Sequence, residues 1–169
     1  MPTTIRPATS QDHDAVWSIF HDVISAGDTY AFDSAMPREA ALAYWFQPGA
    51  RAFVAESGGR ILGIYHLKPN QAGPGAHVAN AAFMVPALAR GRGVGRRLGE
   101  GCVAEARRLG FRAIQFNFVV STNDAAVQLW QQLGFRIVGT LPGAFRHPTL
   151  GYVDAFVMYL ALAEVSRRS

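Results

Sequence analysis

Met84-Val85-Pro86-Ala87-Leu88-Ala89-Arg90-Gly91-Arg92-Gly93-Val94-Gly95-Arg96-Arg97-Leu98 is the stretch from which the rest of the chain is read. An apolar run stops at a proline, small residues follow, and Val94 and Leu98 then start a stripe at helical spacing. A strand that enters a helix in this way leaves the first helical N–H groups without acceptors. Those groups carry partial positive charge, and glycines let an anion approach them closely. Arg90, Arg92 and Arg96 add fixed charge, while Arg97 reads as nearby surface charge. The stretch suits a pyrophosphate.

Two common glycine loops do not fit it. A dinucleotide loop needs G-x-G-x-x-G. Its third glycine would fall at Leu98 counted from Gly93, or at Arg96 counted from Gly91. A triphosphate loop needs Gly-Lys-Ser/Thr, but Arg96 follows Gly95. The pattern that remains is Gln/Arg-x-x-Gly-x-Gly/Ala, met by Arg90, Gly93 and Gly95.

Outward from the loop, the spacing predicts a strand over 77–85 and a helix over 93–109. The helix buries Val94, Leu98, Cys102, Ala106 and Leu109. Residues 112–120 alternate, with Ile114, Phe116, Phe118 and Val120 on one face and Gln115 and Asn117 on the other. Asn123 caps a helix that turns Ala126, Leu129, Trp130 and Leu133 inward and ends at Gly134. Strands over 135–140 and 152–162 close the chain, joined by a loop over 142–151. Upstream, Ile5-Arg6-Pro7-Ala8 is a short strand, and 11–25 is an amphipathic helix stopped by Gly27. An aromatic loop, Asp28-Thr29-Tyr30-Ala31-Phe32, leads to a second helix from Pro37 to about Trp45. A hairpin over 52–56 and 61–67 follows, then a polar loop over 68–75. The plan is α+β, a single domain over 3–163, with a mostly antiparallel sheet of six to seven strands and about four helices.

Composition bounds the function. The 169 residues are 50% hydrophobic and 17% charged, which excludes global disorder and suits one packed domain. The sequence shows no apolar run of about 18 residues and no signal-peptide core, so a membrane span is not expected and a cytoplasmic setting is. Cys102 is the single cysteine, and no His/Cys spacing suggests a metal. The net charge is +4, and all but one of the 16 lysines and arginines are arginine, the exception being Lys68. The arginine cluster lacks interleaved aromatics and any helix-turn-helix, zinc or RNA-binding signature, so nucleic acid is not the expected partner.

With a second motif in place, the chain resembles the GNAT superfamily of acetyl-CoA-dependent N-acetyltransferases. That motif is Asn123-x-x-Ala126-x-x-Leu129-Trp130-x-x-Leu133-Gly134-Phe135, at the expected distance after the loop. The opening Ile5-Arg6-Pro7-Ala8 and the closing Tyr152-Val153-Asp154 also fit. The resemblance implies a fold in which two central parallel strands splay to hold acetyl-CoA. It implies that the backbone of Phe83, Met84 and Val85 meets the pantetheine and the acetyl carbonyl. It implies that Arg90, Arg92, Gly93, Val94, Gly95 and Arg96 hold the pyrophosphate, and that Asn123 meets the pantetheine arm. The implied reaction is direct attack of a neutral amine on the thioester, with no metal and no acyl-enzyme, often in a homodimer. One departure stands out: Trp130 occupies the position where many relatives carry a tyrosine that protonates the thiolate, and an indole N–H is no useful acid.

A narrower resemblance concerns the acceptor. Gly27-Asp28-Thr29-Tyr30, Tyr65-His66-Leu67-Lys68-Pro69-Asn70, His77-Val78-Ala79-Asn80-Ala81-Ala82-Phe83 and Phe116-Asn117-Phe118-Val119-Val120-Ser121-Thr122-Asn123 are similar to segments of the L-azetidine-2-carboxylate acetyltransferases. This implies that Asn80 and Asn117 position a cyclic imino acid, and that Asn123 acts on the cofactor or thioester. The aromatic loop around Tyr30 and Phe32 is then expected to cover the ring, and the loop around Phe145–His147 to close over it. The role would be detoxification or metabolism of an amino acid. On the residues alone, Asn80 and Asn117 are equally readable as strand or bulge hydrogen-bonding groups, and Asn123 as an N-cap. His66, His77 and Asp154 are weak candidates for a base. Other acceptors stay open: a herbicide-like amino acid, a polyamine or a peptide N-terminus. So does a non-catalytic acetyl-CoA sensor.

Overall fold

The computed structural model describes residues 2–163. In chain order they form β1 (Thr4–Pro7), α1 (His13–Ala26), α2 (Arg38–Trp45), β2 (Arg51–Ser57), β3 (Arg60–Pro69), β4 (Val78–Met84), α3 (Val94–Arg108), β5 (Ala113–Val120), α4 (Asp124–Gln132), β6 (Arg136–His147) and β7 (Gly151–Ala161). Among the described residues the seven strands make one sheet, ordered β1-β2-β3-β4-β5-β7-β6. Every pair is antiparallel except β4–β5. The α+β plan, with its mixed sheet and central parallel pair, is as the sequence predicts.

Period-two alternation along β4 divides the molecule. Ala79 and Ala81 turn to the face covered by α3 and α4, where Val94, Leu98, Cys102, Ala106 and Trp130 are buried. Ala82 and Met84 turn to the opposite face, covered by Val16, Phe20 and Ile24 of α1 and Trp45 of α2. Gly99 lets α3 lie close to α4, since a Cβ there would stand 2.6 Å from Leu133 Cδ1 and 3.0 Å from the Trp130 ring. Arg6 and Asp12 tie β1 to the start of α1 through a two-pronged ion pair of 2.8 and 2.9 Å.

Two expectations need correction. Residues 142–151 are not a loop: β6 continues through Pro142 to His147 and pairs with β7 as far as His147–Gly151. A register shift between Leu141 and Phe145 absorbs Pro142 and Gly143, and β6 is an edge strand, where a proline need not donate to a neighbour. The alternation of β5 also breaks. A bulge between Phe116 and Val119 puts Val119 into the cluster with Ile114 and Phe116, and Phe118 leaves that set to pack on Phe145.

Candidate active site

The β4–β5 ladder is short. The two strands pair at Val78–Ala113 and Ala79–Ile114, and there the backbone pairing ends. Asn80 makes the next bridge with its side chain, Nδ2 donating to the Gln115 carbonyl at 3.0 Å. Beyond it the strands part, and the β5 bulge lies along the gap. A cavity of about 950 Å³ opens there, large enough for a cofactor arm and a small substrate.

The Phe83 peptide sits at the middle of the gap. Its N–H donates to the Tyr30 hydroxyl at 2.9 Å, and the same hydroxyl donates to the Phe83 carbonyl at 2.6 Å. Phe83 therefore turns both main-chain groups away from β3 and into the gap. The Tyr30 side chain satisfies what an adjacent strand would otherwise satisfy. Burial pushes the Tyr30 phenol well above its ordinary range, so it stays a neutral hydroxyl.

On the α3–α4 side lies the glycine loop. Gly93 takes φ 74° as the N-cap of α3, a left-handed conformation that favours glycine. The Arg97 N–H donates to the Gly93 carbonyl at 3.1 Å, so Val94, Gly95 and Arg96 precede the helical ladder with no intrahelical acceptor. Arg96 reaches Glu100 at 3.3 Å and Gln132 at 2.7 Å, and Arg90 lies 3.4 Å from the Val85 carbonyl. Both arginines line the cavity, as do Gly93, Val94 and Gly95. Arg92 is exposed and outside the lining, and Arg97 points to the Thr3 carbonyl. Asn123 is the N-cap of α4, its Oδ1 accepting from the Ala126 N–H at 3.4 Å, and it lines the same compartment. Trp130 is buried, with ring centroids 4.6 Å from Phe83 and 4.8 Å from Phe116. It closes the base of the gap by packing.

The α1–α2 side is different in kind. Asn80 and Asn117 both line it. Asn117 is exposed and belongs to a chain of amides, taking a donor from Gln115 at 2.9 Å and giving one to Asn70 at 2.7 Å. Tyr30, Phe32 and Tyr44 form an aromatic wall, with ring centroids 5.8 Å apart for Tyr30–Phe32 and 4.9 Å for Phe32–Tyr44. Asp28, Lys68 and His147 complete this side; the sequence reading assigned no role to Asp28 or Lys68, and expected the segment around Phe145–His147 to close over the acceptor. A charged residue in an aromatic loop and a lone lysine among arginines were the available signals. Asp28 carries a buried oxygen, Oδ1, with no hydrogen-bond partner among the described residues. His147 Nδ1 accepts from the N–H groups of Thr149 and Leu150, both at 3.2 Å, which assigns the ring proton to Nε2 and makes His147 a donor rather than a base.

The three side chains first considered as bases lie outside the cavity lining. His66 is buried against Trp45, with Nδ1 3.2 Å from the Trp45 carbonyl; burial holds its pKa down to about 4, so it is neutral. His77 is exposed. Asp154 accepts from the Gly143 N–H at 2.9 Å within the β6–β7 hairpin. Among the described residues no group of three or more His, Cys, Asp or Glu side chains is placed to hold a metal ion.

Known proteins resemble this chain in sequence and in fold. The chain is 31% identical over 153 residues to the N-acetyltransferase aca1 of Schizosaccharomyces pombe, covering 79% of this chain and 72% of that protein. The solved structure of a GCN5-related N-acetyltransferase from Kribbella flavida superposes with a TM-score of 0.91 at 50% identity, over 94% of this chain and 97% of that one. That of yncA from Salmonella typhimurium, determined with its cofactor acetyl-CoA, superposes at 0.85 and 24% identity over 100% and 99% of the two chains, a likeness of fold. The model of the acetyltransferase (GNAT) family matches residues 16–135, from the first helix through the splayed strands to the end of α4, and the chain belongs to that family.

Proposed function

We propose that this acetyltransferase takes acetyl-CoA on the α3–α4 side of the gap and passes the acetyl group to the amine of a small amino acid or cyclic imino acid held on the α1–α2 side. The observation that carries the reading is the gap itself: one cavity, crossed by the plane of the sheet, with a glycine loop at one end and an amide-lined, aromatic-walled pocket at the other. The pyrophosphate rests on the N–H groups ahead of α3, with Arg90 and Arg96 beside it. The backbone of Phe83, Met84 and Val85 and the Asn123 side chain follow the pantetheine arm. Arg92, outside the lining, adds charge at longer range.

The amine attacks the thioester carbon, the C–N bond forms, the C–S bond breaks, and CoA leaves as thiolate. Asp28 takes the proton lost by the amine. A thiol loses its proton near pH 8.5 in water, so the leaving thiolate needs no dedicated acid, which is compatible with Trp130 as a packing residue. Asn80 and Asn117 orient the acceptor, and Tyr30 closes the pocket where it meets the gap. The neutral amides argue against a polyamine, which would call for a cluster of carboxylates. Detoxification or metabolism of an amino acid is the matching role, in a cytoplasmic setting. A homodimer is supported by the exposed apolar residues Ile137, Val138 and Leu141 on the free sheet edge β6, and sedimentation of the purified protein tests it.

The deciding assay is thiol release from acetyl-CoA across azetidine-2-carboxylate, proline analogues, the primary amino acids, phosphinothricin and polyamines. Turnover confined to imino acids supports the cyclic acceptor. Turnover with primary amino acids alone moves the acceptor while keeping the site. Turnover with polyamines alone refutes the amino-acid reading.

A further inference from the structure

Lys68 is the single lysine of the sequence. It stands on β3 directly opposite Asn80 of β4, so the two side chains leave the sheet on the same face as neighbours. It is half-buried and lines the cavity. Its Nζ lies 5.8 Å from the Tyr44 ring centroid and 3.3 Å from Gln47 Oε1. Neither neighbour is an anion, and Lys68 enters none of the ion pairs among the described residues. An ammonium has three N–H donors, and Gln47 takes one.

The position argues against a phosphate role. The phosphate-suited loop and its arginines follow the C-terminal end of β4, whereas Asn80 and Lys68 lie towards its start. At about 3.3 Å per residue, Asn80 is roughly 10 Å before Phe83 along the strand. Lys68 thus stands on the far side of Phe83 from the glycine loop, beside the amides. A compact ammonium on a flexible stem suits a small carboxylate that need not be gripped by two parallel bonds.

We propose that Lys68 binds the carboxylate of the acceptor, and so selects amino and imino acids over amines that lack one. The inference rests on the acceptor pocket proposed above. It makes Lys68 the specificity-determining residue of the reaction, with Asp28 serving the amine end and Asn80 and Asn117 lying between. Amino-acid carboxamides, which keep the amine and the ring or side chain but lose the negative charge, become the discriminating probes.

The test compares azetidine-2-carboxylate, L-proline and L-methionine with their carboxamides, using the purified protein and its Lys68→Met and Lys68→Arg variants. In the unsubstituted protein kcat/KM for at least one acid should exceed that for its carboxamide tenfold or more. In Lys68→Met that ratio should collapse towards one through a rise in KM for the acid, with the acetyl-CoA Kd within twofold. Lys68→Arg should keep part of the preference. Equal use of acid and carboxamide by the unsubstituted protein overturns the proposal, as does a Lys68→Met variant that keeps the ratio or loses both substrates equally. Calorimetry on the CoA-loaded protein separates this from failure of the function itself. Acids that bind in a Lys68-dependent manner but are never acetylated uphold Lys68 and refute the transfer reading. Acids that neither bind nor react refute Lys68.

Discussion

Gly93→Ala paired with Gly49→Ala separates binding from stability at the glycine loop. The two glycines share a left-handed backbone, φ +74° and +83°, and a Cβ built on either meets nothing within 4 Å. An L residue in that conformation costs about 1–2 kcal/mol, and the stiffer unfolded chain returns about 0.4–1 kcal/mol. Each substitution should therefore destabilise the protein by roughly 1 kcal/mol, which for a chain of this size lowers Tm by about 2–4 °C. Only Gly93 borders the cavity, and its new Cβ would project where the phosphates are proposed to rest. Gly93→Ala should then raise the acetyl-CoA Kd about tenfold or more, equivalent to about 1.4 kcal/mol, while Gly49→Ala leaves it unchanged. Thermal melting gives the first quantity and calorimetry the second. Matched melting losses with unaltered acetyl-CoA affinity at Gly93 would show that the loop does not hold the phosphates. Equal losses of affinity in both variants would show that affinity merely follows stability.

Asn117→Ala should lower kcat/KM for the best acceptor about tenfold or more and leave acetyl-CoA affinity and Tm nearly unchanged, because its partners Asn70 and Gln115 hold it at an exposed position; full activity would return it to a structural role. Asp28→Asn should lower kcat by about 10²–10⁴-fold at neutral pH with little change in acceptor KM, and a variant as fast as the parent would remove Asp28 from proton transfer. Tyr30→Phe leaves the Phe83 N–H and carbonyl without their partner, which should destabilise the ligand-free protein by about 1–3 kcal/mol. A pantetheine arm that takes over the same peptide should then raise Tm more in the variant than in the parent, whereas an equal rise would mean that Tyr30 is never displaced. The Arg6 guanidinium holds the Asp12 carboxyl down to about 2 from an ordinary 3.8, so the pair's contribution is fully present above about pH 4 and is lost as pH falls through 2. At about 1.4 kcal/mol per unit, reduced because Arg6 is 37% exposed, it amounts to about 1–2 kcal/mol, and urea melts of Asp12→Asn against the parent at pH 6 and pH 2.5 should differ at the first pH, with the difference falling to about a third at the second.

The elements legible in the sequence were those whose signal is local. The stripe Val94, Leu98, Cys102 and Ala106 is one face of a helix wherever that helix lies, and all four are buried. What escaped depends on neighbours distant in the chain. The run from Ile114 to Val120 alternates on paper in a way that hides a bulge, which exists only in relation to β7. Pro142 and Gly143 read as a loop because the edge position that tolerates them is a property of sheet order. Asn80 was conspicuous as an amide in an apolar strand, but its acceptor, the Gln115 carbonyl, lies 35 residues on. Lys68 was visible as a compositional oddity, and only the pairing of β3 with β4 puts it beside Asn80.

The aromatic cluster around Trp130 bears on how the chemistry is divided. With rings at 4.6 Å from Phe83 and 4.8 Å from Phe116, Trp130 holds the base of the gap shut, and in the proposed reaction its indole would serve as packing rather than as a proton donor. A thiolate is a stable enough leaving group to depart alone, but an amine that enters as an ammonium cannot attack at all. Proton transfer in the proposed reaction is therefore demanded on the acceptor face only. That face carries Asp28, with an oxygen that no donor among the described residues occupies, and His147, whose Nδ1 is already engaged by two backbone N–H groups. Mutating Trp130 should accordingly disturb stability and cofactor binding more than the pH dependence of turnover, and mutating Asp28 should do the reverse.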